Sequence, residues 1–265
     1  MVQDESDRGV RLERDGTIAI MTIDRPSRRN ALDLHTIQEM TSILDDLIGA
    51  QDISVLCVRG AGDRAFIAGG DLKDLASIRD LEKAEFMAMT MRTLLDRLSA
   101  LPFPVVGVIN GDAYGGGAEV AMACDFRVAS DHVHLAFNQI RLGIIPAWGG
   151  IERLTTLVGP ARSMYLLTTG KVLNASQAMA WNLVEEVFPK ESFEKQWHSF
   201  VLEIATHSSG AVRRIKEVVS ATISSLRPNL SSIAIRSFAE TWVADDHWNA
   251  AAQFEQTRNK SKMTI

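Results

Sequence analysis

Twice along this sequence a strand-like run, a glycine-bearing loop and a helical stretch follow one another in the same order. "SVLCVRG" passes through "GAGDRAFIAGGDLKDL" towards an amphipathic helix from about Leu81 to Ala100, and "PFPVVGVIN" passes through "GDAYGGG" to the small apolar run "AEVAMACD". The prolines of "PFPVVGVIN" end the preceding helix, because they cannot continue its hydrogen bonding. A unit of this kind, repeated, restricts the chain to an α/β core in which the glycine loops can converge on one place.

The flanking segments fit that frame. "VRLERDGTIAIMTIDRP" holds two β-rich runs around Asp15-Gly16, a dipeptide that favours a tight hairpin turn. From Asp33 to Ala50, Leu34, Ile37, Met40, Ile43, Leu44, Leu47 and Ile48 recur at three-and-four spacing and predict an amphipathic helix. In the helix from Leu81, the apolar stripe reads Phe86, Leu94, Leu95, Leu98 and Leu101. Two short strands are expected in "DFRVAS" and "HVHLAF", then the loop "NQIRLGIIPAWGG", short helices from Gly149 to Leu167, and a helix containing Ala178 and Trp181 capped by Asn174. Strand character stops near Phe188, and Glu191 onward is helical in pattern. The expected organisation is a β/α core over residues 1–195 and a helical region over 196–265.

Composition narrows the function classes. At 265 residues and 46% hydrophobic, the chain is long enough to bury a sizeable core. The longest apolar runs are strand-length, short of the ~20 residues a membrane helix needs. The polar, acid-rich start "MVQDESDRGV" lacks the features of a secretory signal or transit peptide, so the expected compartment is cytoplasmic and no membrane partner is expected. A net charge of −5 argues against nucleic-acid binding, which depends on basic surface. Cys57 and Cys124 read as small buried hydrophobes. His132 and His134 lack a third ligand at sensible spacing, so no metal is expected.

The triplet Gly115-Gly116-Gly117 followed by Glu119 carries the chemistry. Neither a Gly-Lys-Ser/Thr nor a GxGxxG spacing is present, so the loop is not a nucleotide cradle of those kinds. Alone, Glu119 could simply complement the positive end of a helix. The second loop repeats the logic, with Asp71 capping a short helix after two glycines, and exposed N–H groups from both loops suit an oxyanion beside an acid/base.

Together with "RPSRRNAL", "VGVINGDAYGGGAEVAMACDFRVAS" and "LGIIPAWGGIERLTTLVG", these residues resemble the enoyl-CoA hydratase/isomerase, or crotonase, superfamily, from about Thr17 to Arg258. The resemblance implies a crotonase-like spiral of β-β-α units with a helical C-terminal trimerisation region, assembling as a homotrimer or as a hexamer of paired trimers. It implies an acyl thioester of coenzyme A as substrate, with no cofactor beyond the coenzyme A of the substrate itself. The N–H groups of Gly70 and Gly116 correspond to the family's thioester-oxygen donors, and Glu119 to its proton-transferring glutamate. Arg28, Arg29 and Ala31 in one loop and Ala68, Gly70, Asp71 and Leu72 in another correspond to coenzyme A-binding positions, with Lys73 a further source of positive charge.

The family pattern breaks at one position. Typical hydratases hold water between two glutamates twenty residues apart, and counting from Glu119 leads to Gln139. An amide orients a water or a carboxylate but cannot transfer a proton at neutral pH. The leading expectation from the resemblance is a hydratase-like enzyme that works on an acyl-CoA through an oxyanion-stabilised enolate, with Glu119 giving and taking the proton. The alternatives are decarboxylation of a malonyl-type thioester with Gln139 orienting the leaving group, isomerisation, and binding without turnover. Trp148, in "IPAWGG" where the family commonly has smaller residues, and Tyr114, just before the glycine triplet, are expected to narrow the acyl pocket. Leu230, Ile233, Ile235, Phe238, Trp242 and Trp248 are expected to be buried between subunits.

Overall fold

The expected hairpin opens the sheet. In the computed structural model, which describes residues 7–226 and 230–263, β1 (Gly9–Asp15) and β2 (Ile18–Asp24) pair antiparallel, Asp15 opposite Ile18. Gly16 takes the left-handed conformation that the turn demands, at φ 56°. The extreme ends of both expected regions lie outside the described residues. Helix α1 (Leu34–Ile48) starts at Asp33, whose carboxylate accepts the Thr36 N–H at 2.8 Å.

The spiral follows. β3 (Val55–Gly60) and β4 (Ala65–Ile67) lead to α2 (Leu72–Leu75) and α3 (Leu81–Ser99). β5 (Val105–Ile109) and β6 (Asp112–Tyr114) lead to α4 (Gly116–Ala123), and β7 (Phe126–Ser130) and β8 (His134–Ala136) lead through a 3-10 turn, Gln139–Leu142, to α5 (Gly150–Thr169). Then come β9 (Leu173–Asn174), α6 (Ala175–Ala180), β10 (Glu186–Phe188), α7 (Phe193–Thr206), α8 (Ser209–Leu226), α9 (Ser231–Val243) and α10 (Asp245–Met263). The first strand of each unit joins a six-stranded sheet ordered β1-β2-β3-β5-β7-β10. The second joins a four-stranded sheet ordered β4-β6-β8-β9. Each β-β-α unit therefore adds one strand to each of two sheets, and the chain spirals.

The central strands are buried on both faces, which is why they read as nearly continuous apolar runs. Their side chains still alternate. Ile18, Val55, Cys57, Val106, Val108 and Val128 pack against Phe193, Trp197 and Val201 of α7, while Met21, Leu56, Val58, Val105 and Ile109 face the main core. Both thiols are buried, and burial pushes each pKa up, that of Cys124 to about 12, so they behave as apolar groups.

Some expectations need correction. Phe86 is 64% exposed, because the inner face of α3 is set by Ala84, Met87, Ala88 and Met91, and Phe86 points towards nearly the opposite side. The short helices expected after Gly149 are present, as two segments of α5 that meet at a sharp kink at Gly159, φ 77° and ψ 166°, just before Pro160. Phe238 and Trp242 are buried by their own chain, since α9 lies along α3 and the Trp242 indole N–H donates to the Ile78 carbonyl at 2.9 Å. Leu230 and Ile233 remain exposed.

Candidate active site

Two buried asparagines tie the loops at the strand ends. Asn110 donates to the carbonyls of Gly60 and Gly62 and accepts the Gly60 N–H, joining the end of β3 to the end of β5. Asn30, at φ 56°, donates to the carbonyls of Ala61 and Ala65 and so docks the loop of Arg28 and Arg29 beside β4. These bonds bring three separate stretches of sequence to one face.

The glycine loops meet there. Leu32 donates to Gly69 and accepts from the Asp71 N–H, both at 2.8 Å, a parallel bridge that turns the intervening N–H of Gly70 to the opposite side. Gly116 opens α4, where the first N–H groups have no intrahelical acceptor. Gly115 before it has φ 56° and donates to the Ala136 carbonyl. A Cβ on Gly69 would lie 3.3 Å from the Gly116 nitrogen, so the loops touch. Gly117 permits a second close approach: a Cβ there would fall 1.8 Å from the Ile67 carbonyl oxygen.

Gly70, Gly116, Glu119, Gln139 and Trp148 line one cavity of about 260 Å³. Its apolar wall includes Met87, Leu142 and Ile144, with Phe238, Trp242 and Phe254 from the C-terminal helices. Glu119 is 2% exposed. One carboxylate oxygen accepts the backbone N–H groups of Trp148 and Gly150 at 2.8 and 2.9 Å, and the other accepts Gln139 Nε2 at 3.0 Å. Burial nevertheless outweighs these donors and the nearby Arg153 guanidinium, raising the pKa to about 7. The carboxyl group can then give or take a proton at neutral pH.

Gln139 is 7% exposed, and its amide is oriented by the carboxylate. Nε2 faces Glu119, which leaves Oε1 buried without a hydrogen-bond partner. An unsatisfied buried acceptor of this kind calls for a donor.

A second groove adjoins the cavity, sharing Ala68, Gly70, Leu72, Asn138 and Phe254 with it. It brings together Arg28, Arg29, Ala31, Asp71, Lys73 and Tyr114. The Asp71 carboxylate is occupied structurally, accepting the Lys73 N–H and facing Arg25 at 3.4 Å. Burial and the neighbouring Asp112 push the Tyr114 phenol up to about 12, so it stays protonated. His132 bonds Ser130 and the Asp63 carbonyl, and His134 bonds Asp112, so the two imidazoles serve separate contacts.

Three parts of the site were not anticipated. Arg153 bonds the Trp148 carbonyl at 2.9 Å and Asp96 at 2.6 Å, bracing the loop over Glu119. Its place in "GGIERL", one helical turn after the glycines, was the available signal. Asn138 lines both the cavity and the groove. Phe238 and Trp242, expected between subunits, line the cavity of their own chain.

Solved structures with this spiral cover the chain almost end to end. An enoyl-CoA hydratase from Bacillus anthracis is 30% identical, with TM-score 0.79 over 94% of this chain and 97% of its own. A carnitinyl-CoA hydratase from Mycobacterium avium is 25% identical, with TM-score 0.83 over 94% and 96%. The architecture is the crotonase fold. Among curated relatives, a short-chain-enoyl-CoA hydratase of Clostridium acetobutylicum is 28% identical over 93% of this chain and 94% of its own length. A probable enoyl-CoA hydratase of Mycobacterium bovis is 31% identical over 93% and 95%. The chain belongs to the enoyl-CoA hydratase/isomerase family, whose pattern it matches over residues 13–262.

Proposed function

We propose that the chain is a hydratase-like enzyme that adds water to, or removes it from, an acyl thioester of coenzyme A, using Glu119 alone for proton transfer. The thioester oxygen sits between the N–H groups of Gly70 and Gly116. Water attacks the β-carbon, its proton passes to Glu119, and the negative charge that develops on the thioester oxygen is met by the two donors. Glu119 then returns the proton to the α-carbon. Each preorganised donor in such a site contributes about 3 kcal/mol to the transition state. Arg28, Arg29 and Lys73 hold the phosphates of the coenzyme, which enters the chemistry only as part of the substrate.

The observation that carries this reading is the free Oε1 of Gln139. A water or β-hydroxyl donates to it while facing Glu119. The leaving carboxylate of a malonyl-type thioester would instead meet an acceptor, since Nε2 is already engaged by Glu119. Hydration is therefore favoured over decarboxylation, and an isomerase with its base at the second position has no carboxylate there. Incubation with crotonyl-CoA in ¹⁸O-water tests the reading by mass spectrometry: labelled 3-hydroxybutyryl-CoA supports it. Carbon dioxide release from malonyl-CoA without hydration refutes it, as does tight binding of every thioester without turnover.

Assembly as a trimer or a pair of trimers fits the exposed Ile215, Val218 and Val219 of α8 and Ile233 of α9. Light scattering tests it. Among the described residues, no helix is long and apolar enough to cross a membrane. A cytoplasmic setting suits the two unpaired, buried thiols.

A further inference from the structure

We propose that the indole of Trp148 is a flat wall that closes the reacting end of the cavity to acyl groups branched at the α-carbon. The inference rests on the acyl-thioester reading above and names the substrate class more narrowly: thioesters whose α-carbon carries no substituent.

One edge of the ring serves both donor loops. A Cβ placed on Gly116 would lie 2.0 Å from Cζ3 and 2.3 Å from Cη2 of Trp148, so the ring packs directly on the Gly116 backbone. A Cβ placed on Gly70 would lie 3.6 Å from Cζ2 and 3.7 Å from Cη2 of the same ring. The six-membered ring therefore spans the gap between the two glycines assigned to the thioester oxygen.

The wall is anchored. The Trp148 N–H donates to Glu119 at 2.8 Å and the Trp148 carbonyl accepts from Arg153 at 2.9 Å. Asp96 holds the other end of Arg153 at 2.6 Å. The main chain cannot retreat without breaking buried, charge-assisted hydrogen bonds, which leaves only the side-chain torsions to yield. The residue is 7% exposed, so those torsions are enclosed by packing.

Reaction places the α-carbon between the thioester carbonyl and the Glu119 carboxylate, alongside Gly116. A planar enoyl thioester lies against an aromatic face at van der Waals separation. A tetrahedral α-carbon, as in the saturated or hydrated acyl group, turns a methyl substituent out of the thioester plane and into the space that the ring occupies.

Calorimetric titration with butyryl-CoA and 2-methylbutyryl-CoA tests this without requiring turnover. Wild type should bind the straight chain at least tenfold more tightly, the scale on which one methyl group is discriminated in a fitted pocket. Trp148→Ala should bring the two within about threefold of each other, mainly by improving the branched ligand. Trp148→Phe, which keeps a flat ring and core packing, should fall between, and thermal melts confirm that each variant is folded. Equal binding by wild type, or an unchanged ratio in both folded variants, overturns the inference while leaving the thioester reading intact. Failure of wild type to bind either thioester overturns both.

Discussion

Glu119→Gln should stabilise the protein, and by an amount that depends on pH. Glu119 titrates near 7 in the folded chain, against an ordinary value of 4.5. Between those values the folded state binds the proton that the unfolded state has released, so stability falls as pH rises from 4.5 to 7. The full difference is roughly 3 kcal/mol, at about 1.4 kcal/mol per unit. Glutamine removes this charge without removing the hydrogen bonds. Its carbonyl oxygen accepts the Trp148 and Gly150 N–H groups, its amide faces Gln139, and a flipped Gln139 presents the Oε1 that now has no partner. Relative to wild type, Glu119→Gln should gain roughly 2–3 kcal/mol more at pH 8.5 than at pH 5. That corresponds to an increase of about 5 °C in the Tm difference for a chain of this size. Scanning calorimetry at both pH values reads it, alongside loss of crotonyl-CoA hydration. An equal Tm difference at the two pH values, or a variant less stable than wild type at pH 8.5, would refute the assignment of a buried, strained charge.

Gln139→Glu places two carboxylate oxygens where Nε2 and Glu119 now stand 3.0 Å apart, so the pair should share a proton. Hydration of crotonyl-CoA should rise by roughly 10²-fold, and Glu119→Gln in that background should abolish the gain; steady-state rates check both. Arg28→Ala with Arg29→Ala should weaken butyryl-CoA binding on the order of tenfold and flatten its salt dependence. The same double variant should leave binding of the nucleotide-free N-acetylcysteamine thioester unchanged, as titration calorimetry would show. Asn110→Ala removes the buried bonds that join β3 to β5, and urea unfolding should report a loss of roughly 2–4 kcal/mol.

Much of the fold was legible because its signals are local. The hairpin, α1 and the alternation of strands with helices follow from turn residues, caps and periodicity. β4 and β6, of three residues each, were missed as strands, since so short a run has no period to read and is defined by its partners in the second sheet. The exposed Phe86 shows the complementary limit: hydrophobicity places a residue on a helix, but small residues such as Ala84 and Ala88 decided which side faced inward. At the site, motif order pointed to Gly70, Gly116, Glu119 and Gln139, and these four line one cavity. The direction of the Gln139 amide was not legible, because it is set by which atom meets Glu119. Nor was the destination of Phe238 and Trp242, since an apolar stripe says that something covers it and not what.

The contribution of α9 and α10 to the cavity wall has a consequence for the order of events during synthesis. Glu119, Gln139 and both glycine loops emerge from the ribosome well before Phe238, Trp242 and Phe254. A nascent chain can assemble its sheets and its polar constellation first, as N-terminal portions generally do. Until the later aromatics dock, one side of the cleft stands open to water, so the capacity to enclose a substrate is acquired late in the making of each molecule.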